Sequence, residues 1–153
     1  MKLVDILRME RVIPNLKATD KAGVLAELAQ ALVATGDVRD PHAVARVLME
    51  REKLGSTGIG EGIAIPHGKL RDLAGVVAVF GRSLEGVDFD SMDGAPAHVF
   101  FLLLAPENSA SAHLKALARI SRLLKDRSFR EKLLQAASQE ALFDIIAEED
   151  GKD

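Results

Sequence analysis

Residues 51–69 of the chain read REKLGSTGIGEGIAIPHGK. Glycines at 55, 58, 60 and 62, with Ser56 and Thr57 among them, lead into an apolar run at 63–65, then Pro66, His67 and Gly68. Proline holds the preceding residue extended and has no N–H to give, so the pattern predicts a strand that stops at Pro66 and presents the His67 imidazole at its tip. Glycine tolerates positive φ and lets an anion approach the main chain, so a Gly/Ser/Thr loop beside that imidazole could surround a phosphate with N–H groups. The indicated chemistry is phosphoryl transfer through histidine. A neutral imidazole is nucleophilic, and a side chain with an ordinary pKa near 6.5 is largely neutral at cellular pH. No metal or cofactor is required. The plainer alternative is a glycine-rich turn with an ordinary loop histidine, and these residues alone leave both open.

Phosphoryl transfer also needs groups that neutralise the equatorial oxygens, a task for an arginine fork and aimed N–H groups. Arg51 stands just before the loop, on the stripe Val44, Val47, Leu48 and Arg51 of a helix read from the Asp40–Pro41 cap to Gly55. Its competing role is an ion pair with a buried carboxylate. The expected phosphate contacts are Gly55, Ser56, Thr57, Gly58 and Gly68. Nucleotide motifs fit badly. Five residues, not four, separate Gly62 from Gly68-Lys69, and Leu70 stands where a P-loop has Ser or Thr. The G-x-G-x-G run at 58–62 precedes a strand, whereas the dinucleotide fingerprint opens a helix. The four histidines, 42, 67, 98 and 113, share no helical metal-ligand spacing, so no metal site is expected. His42 and His98 read as structural, and His113 by itself reads as a surface residue at a helix start.

Around this stretch the sequence predicts a short strand at 12–16, qualified by Pro14, and a helix from a Thr19 cap to Gly36. After the 40–55 helix and the 63–65 strand come buried strands at 76–80 and 97–104, with a lesser extended piece at 87–89. Asn108, Ser109 and Ser111 offer caps for a helix with Leu114, Leu117, Ala118, Ile120 and Leu124 inward. Lys115, Arg119, Arg122 and Lys125 on its other face suit either solvent or a docking partner. A capping box from Ser128 to Glu131 starts another helix, Ser138 caps the last, and the charged tail at 148–153 should fray. One strand, two helices, three strands and three helices predict an α/β fold, a mixed sheet with helices on both faces.

The 153 residues, 48% of them apolar, make one domain over 1–153 with a sizeable core, and no linker or repeat divides them. A net charge of −3 without a basic block argues against nucleic acid as a partner. The absence of cysteine excludes disulfides and thiolate chemistry. The longest apolar run, at 99–105, is far short of a membrane helix, and Asp5 and Arg8 do not suit a signal peptide. A soluble cytoplasmic protein is therefore expected.

Glu52, Ile59-Gly60 and Ile63-Ala64-Ile65-Pro66-His67-Gly68, at these spacings, resemble the phosphorylation-site signature of the fructose/mannitol/nitrogen-regulatory class of phosphotransferase-system enzyme IIA, and the resemblance extends over residues 3–146. It implies a three-layer α/β/α sandwich, His67 as the phosphoryl acceptor, Arg51 as the family's active-site arginine, and His113, followed by Leu114, as its second histidine. It further implies an HPr-like phosphocarrier as donor. The nitrogen-related branch, which signals to target proteins by phosphorylation state, is the foremost reading. A sugar-specific enzyme IIA delivering to a transporter IIB domain is the second, and a non-catalytic docking module on the same fold is the third.

Overall fold

A computed structural model describes residues 1–152. After two short 3-10 turns the order is β1 (Val12–Ile13), α1 (Lys21–Ala34), α2 (Pro41–Lys53), β2 (Gly58–Gly60), β3 (Ile63–Ala64), β4 (His67–Leu70), β5 (Val77–Val87), β6 (Ala97–Pro106), α3 (Ala110–Leu124), α4 (Arg127–Gln135) and α5 (Gln139–Gly151). The strands form one six-stranded mixed sheet, β1-β5-β6-β3-β2, with β4 also against β6. β5 and β6 are antiparallel, while β3 and β4 both run parallel to β6.

Strand β6 shows why the layers form. Successive side chains of a strand point to opposite faces. Phe100, Leu102 and Leu104 pack with Leu25, Leu28, Val44 and Leu48 of α1 and α2. Val99, Phe101 and Leu103 pack with Ile120, Leu133, Leu142 and Ile146 of α3, α4 and α5. Both faces are covered, so the strand is apolar throughout, as buried sheets are. The expected α/β/α sandwich is the fold observed.

Two strands exceed the expectation, and both flank the site. Residues 58–60 read as loop because glycine is depleted in strands. They nevertheless pair antiparallel with β3 across Glu61-Gly62, whose φ angles of 59° and 76° make the two-residue turn that matches strand twist. Pro66, expected to end its strand, only interrupts it. Ile63 lies opposite Val99 and His67 opposite Leu103, the same offset on both sides of the break. Pro66 donates nothing there, but its carbonyl accepts the Leu103 N–H at 2.9 Å.

Other corrections are local. β1 keeps only two residues, at the sheet edge. β5 absorbs the start of the piece read separately at 87–89. Asp20, not Thr19, caps α1, its carboxylate accepting the Gly23 N–H at 2.7 Å. Asp126, not Ser128, caps α4, accepting from the Ser128 and Phe129 N–H groups. The tail does not fray as far as described: α5 continues to Gly151, and Asp150, buried, accepts from Val4 N–H and from Arg119 Nε at 2.7 Å.

Candidate active site

The register of β4 decides where its side chains go. His67 is paired with Leu103 and so shares that residue's face, toward α3. Gly68, paired with Leu104, faces α2, where a Cβ would stand 2.7 Å from Val47 Cγ1. Gly68 thus lets helix and strand approach closely. From α3 the His113 ring meets that of His67 edge to face, centroids 5.6 Å apart. The two layers meet at β4 in an open depression of about 440 Å³, lined by Val47, Arg51 and Leu54 of the α2 end, by His67, Gly68 and Lys69, and by His113.

His67 is half-buried, and its Nδ1 lies 2.8 Å from the Ile65 carbonyl. A carbonyl only accepts, so Nδ1 carries the proton and Nε2 keeps its lone pair. Burial holds the His67 pKa below the ordinary value, the bond to Ile65 opposes this, Arg51 adds to it and Glu52 opposes it. Burial likewise lowers His113, followed by the charges of His67 and Lys69. His113 Nε2 is buried with no hydrogen-bond partner among the described residues. Such an orphaned polar atom costs free energy unless a ligand or water meets it. Two neutral rings, one with a free nucleophilic nitrogen, suit the reception of an anionic electrophile.

Arg51 is half-buried and, among the described residues, forms no ion pair with a buried carboxylate; Nη1 donates to the Gly55 carbonyl at 2.8 Å. The buried charge of that helix turn is its neighbour Glu52, whose side chain is 2% exposed. Glu52 accepts from Lys21 Nζ at 3.0 Å, from the Thr57 N–H at 3.1 Å and from the Thr57 hydroxyl. Lys21 also pairs with Asp90 at 3.2 Å and lies over the Phe89 ring. Sequence reading missed Glu52 as a working residue. The signal was the stripe Val44, Leu48 and Glu52, spaced by four, that runs inward in place of the stripe ending at Arg51.

The structure divides the expected phosphate cradle. Gly68 lines the depression, and Gly55 reaches it through the carbonyl that holds Arg51. The N–H groups of Thr57 and Gly58 are spent on Glu52 and on Ser56 Oγ at 3.0 Å, and the Ser56 hydroxyl donates to the Phe89 carbonyl at 2.5 Å. Those donors turn inward because a buried carboxylate and a distant carbonyl are there to receive them. His42 is exposed at the start of α2, and His98 Nδ1 bonds the Ser83 carbonyl at 2.9 Å; neither reaches the depression. Among the described residues there is no cluster of three metal-ligating side chains and no helix long and apolar enough to cross a membrane.

Comparison with known proteins bears on this arrangement. Residues 5–149 match the family model described as "Phosphoenolpyruvate-dependent sugar phosphotransferase system, EIIA 2". The "Nitrogen regulatory protein" of Bradyrhizobium diazoefficiens is 45% identical over 148 residues, 96% of this chain and 95% of that protein. The "PTS system fructose-specific EIIABC component" of Bacillus subtilis is 40% identical over 98% of this chain, which spans only 24% of that protein. In structure, the nitrogen regulatory protein IIA-Ntr of Neisseria meningitidis matches with a TM-score of 0.86 at 33% identity, over 93% of this chain and 97% of that one.

Proposed function

The chain belongs to the EIIA 2 family of the phosphoenolpyruvate-dependent sugar phosphotransferase system, and on that premise we propose that it is a regulatory phosphocarrier of the nitrogen-related branch, phosphorylated on His67. The observation that carries the reading is the Nδ1–H bond to the Ile65 carbonyl, which fixes the tautomer and leaves Nε2 free beside an arginine and a second imidazole. The donor is an HPr-like phosphocarrier bearing phosphohistidine. The Nε2 lone pair attacks phosphorus, the donor's P–N bond breaks as the Nε2–P bond forms, and the electron pair of the broken bond returns to the donor ring. The donor ring, protonated on its other nitrogen, leaves as neutral imidazole, and the His67 ring takes up the positive charge with its Nδ1–H still on the Ile65 carbonyl. The Arg51 fork steadies the equatorial oxygens, and His113 donates to one of them or orients the site. Gly68 keeps the phosphate within reach of the α2 end, while Gly55, Ser56, Thr57 and Gly58 act chiefly by fixing the loop. Neither cofactor nor metal enters, and the protein works in the cytoplasm on target proteins that distinguish its two states.

The relation to a fructose-specific component supports a second reading, a sugar enzyme IIA that discharges to a transporter IIB domain. One experiment separates them. The protein is incubated with phosphoenolpyruvate, its first phosphotransferase and an HPr-like carrier, then followed by intact mass and site mapping. One acid-labile, alkali-stable phosphoryl group on Nε2 of His67, lost in His67→Ala, is the expected result. Retention of that uptake in His67→Ala would refute it. Rapid, sugar-dependent discharge to one membrane IIB domain would favour the second reading.

A further inference from the structure

We propose that Glu52 is a positioning residue for phosphoryl transfer, its buried carboxylate clamping Thr57 so that the turn at 53–57 presents the Gly55 carbonyl that holds the Arg51 guanidinium at the His67 depression. This rests on the phosphocarrier reading and deepens it.

The contacts form a continuous chain. Lys21 Nζ supplies a partner of opposite sign, at 3.0 Å, to a carboxylate held at 2% exposure. The carboxylate takes both the N–H and the hydroxyl of Thr57, five residues on. Between them the backbone turns sharply: Gly55 has φ +145° and donates its N–H to the Glu52 carbonyl at 3.1 Å. Its own carbonyl accepts from Arg51 Nη1 at 2.8 Å. Glu52 itself does not line the depression, whereas Arg51 does. Without the clamp, Thr57 would lose both partners and the turn would lose the bonds that fix it. The Gly55 carbonyl would then stop holding a long, rotamer-rich side chain in one place. Misplacement of a charge-stabilising group by about 1 Å can cost on the order of a hundredfold in rate.

The test is a double-mutant cycle on single-turnover transfer from a phosphorylated HPr-like carrier, with Glu52→Ala, Arg51→Ala and the double variant. Glu52→Ala should lower the maximal rate roughly tenfold or more, with half-saturation by the carrier changed less than about twofold. In the Arg51→Ala background the same change should cost less than about twofold, because the group being positioned is gone. Glu52→Gln, whose amide can accept from the Thr57 N–H and donate to its hydroxyl, should recover most of the rate. If Glu52→Ala does not fold, the cycle is run with Thr57→Val, which removes one of the two clamp bonds. Equal penalties in both backgrounds, with wild-type uptake normal, would overturn the role of Glu52 alone. Failure of the wild type to take up a phosphoryl group would overturn the phosphocarrier reading, and this inference with it.

Discussion

His67 and His113 meet ring edge to ring face, centroids 5.6 Å apart at 77°, although one comes from an edge strand and the other from the first turn of a helix across the sheet face. Burial lowers the pKa of both rings, and the charge of His67 lowers that of His113 further, so both favour the neutral form.

A phosphoryl dianion on Nε2 reverses that balance for His113. The neighbouring negative charge favours the imidazolium, so the His113 pKa should move up on phosphorylation of His67, which a histidine-resolved NMR titration of both forms will show. His113→Ala should leave the fold intact and slow transfer by about tenfold or more. Unchanged forward and reverse rates would return His113 to a structural role.

The pH profile has a definite sign. Only neutral His67 attacks, and burial keeps its pKa below the usual 6.5, so uptake should fall toward acid with a midpoint below that value and be flat through neutrality. Stability follows the same direction. The unfolded chain binds these two protons at higher pH than the folded one, so stability contributed by His67 and His113 is complete above the ordinary histidine pKa. It is lost as pH falls from there through the depressed folded values. A pH series of melting curves against His67→Ala measures it.

Arg51→Ala should reduce the transfer rate by roughly tenfold to several hundredfold, the range for removing one charge-stabilising group from an active site. The melting temperature should scarcely change, since the side chain is half-buried and, among the described residues, bonded only to the Gly55 carbonyl. Arg51→Lys should rescue poorly, because a point charge does not reproduce the planar fork.

Gly68→Ala is expected to act on both stability and rate. The added methyl would meet Val47 Cγ1 at 2.7 Å, forcing α2 away from β4 at a cost of about 1–3 kcal/mol. Since α2 carries Arg51, transfer should slow as well, and the pair Gly68→Ala with Val47→Ala should recover part of both losses.

The readable parts of this site were those with local causes. Pro66 dictates the backbone before His67, Asp40-Pro41 announces α2, and the apolar run at 97–104 declares a buried strand, which the structure extends to Pro106. What could not be read depended on partners far along the chain. The Ser56 hydroxyl is satisfied by Phe89, 33 residues on, and Glu52 by Lys21, so loop donors that seem free for phosphate are already spent. Strand β4 was hidden for the same reason. Proline ends a ladder locally, but the ladder of β6 continues beneath it and the chain resumes in the same register.

That continuity bears on how a phosphorylated form would be told from an unphosphorylated one. The backbone from His67 to Leu70 is laced residue by residue onto the central strand, and the Pro66 carbonyl before it is tied to Leu103. On the phosphocarrier reading, a phosphoryl group on His67 would sit on backbone held by this pairing, and its charge would be felt first at the depression itself. A ligand can distinguish two states only through a difference in its own interaction with each. A protein that tells two such forms apart would do so most directly by covering His67, beside which Leu54, 84% exposed, lines the depression; Leu114, expected inward, is instead 67% exposed.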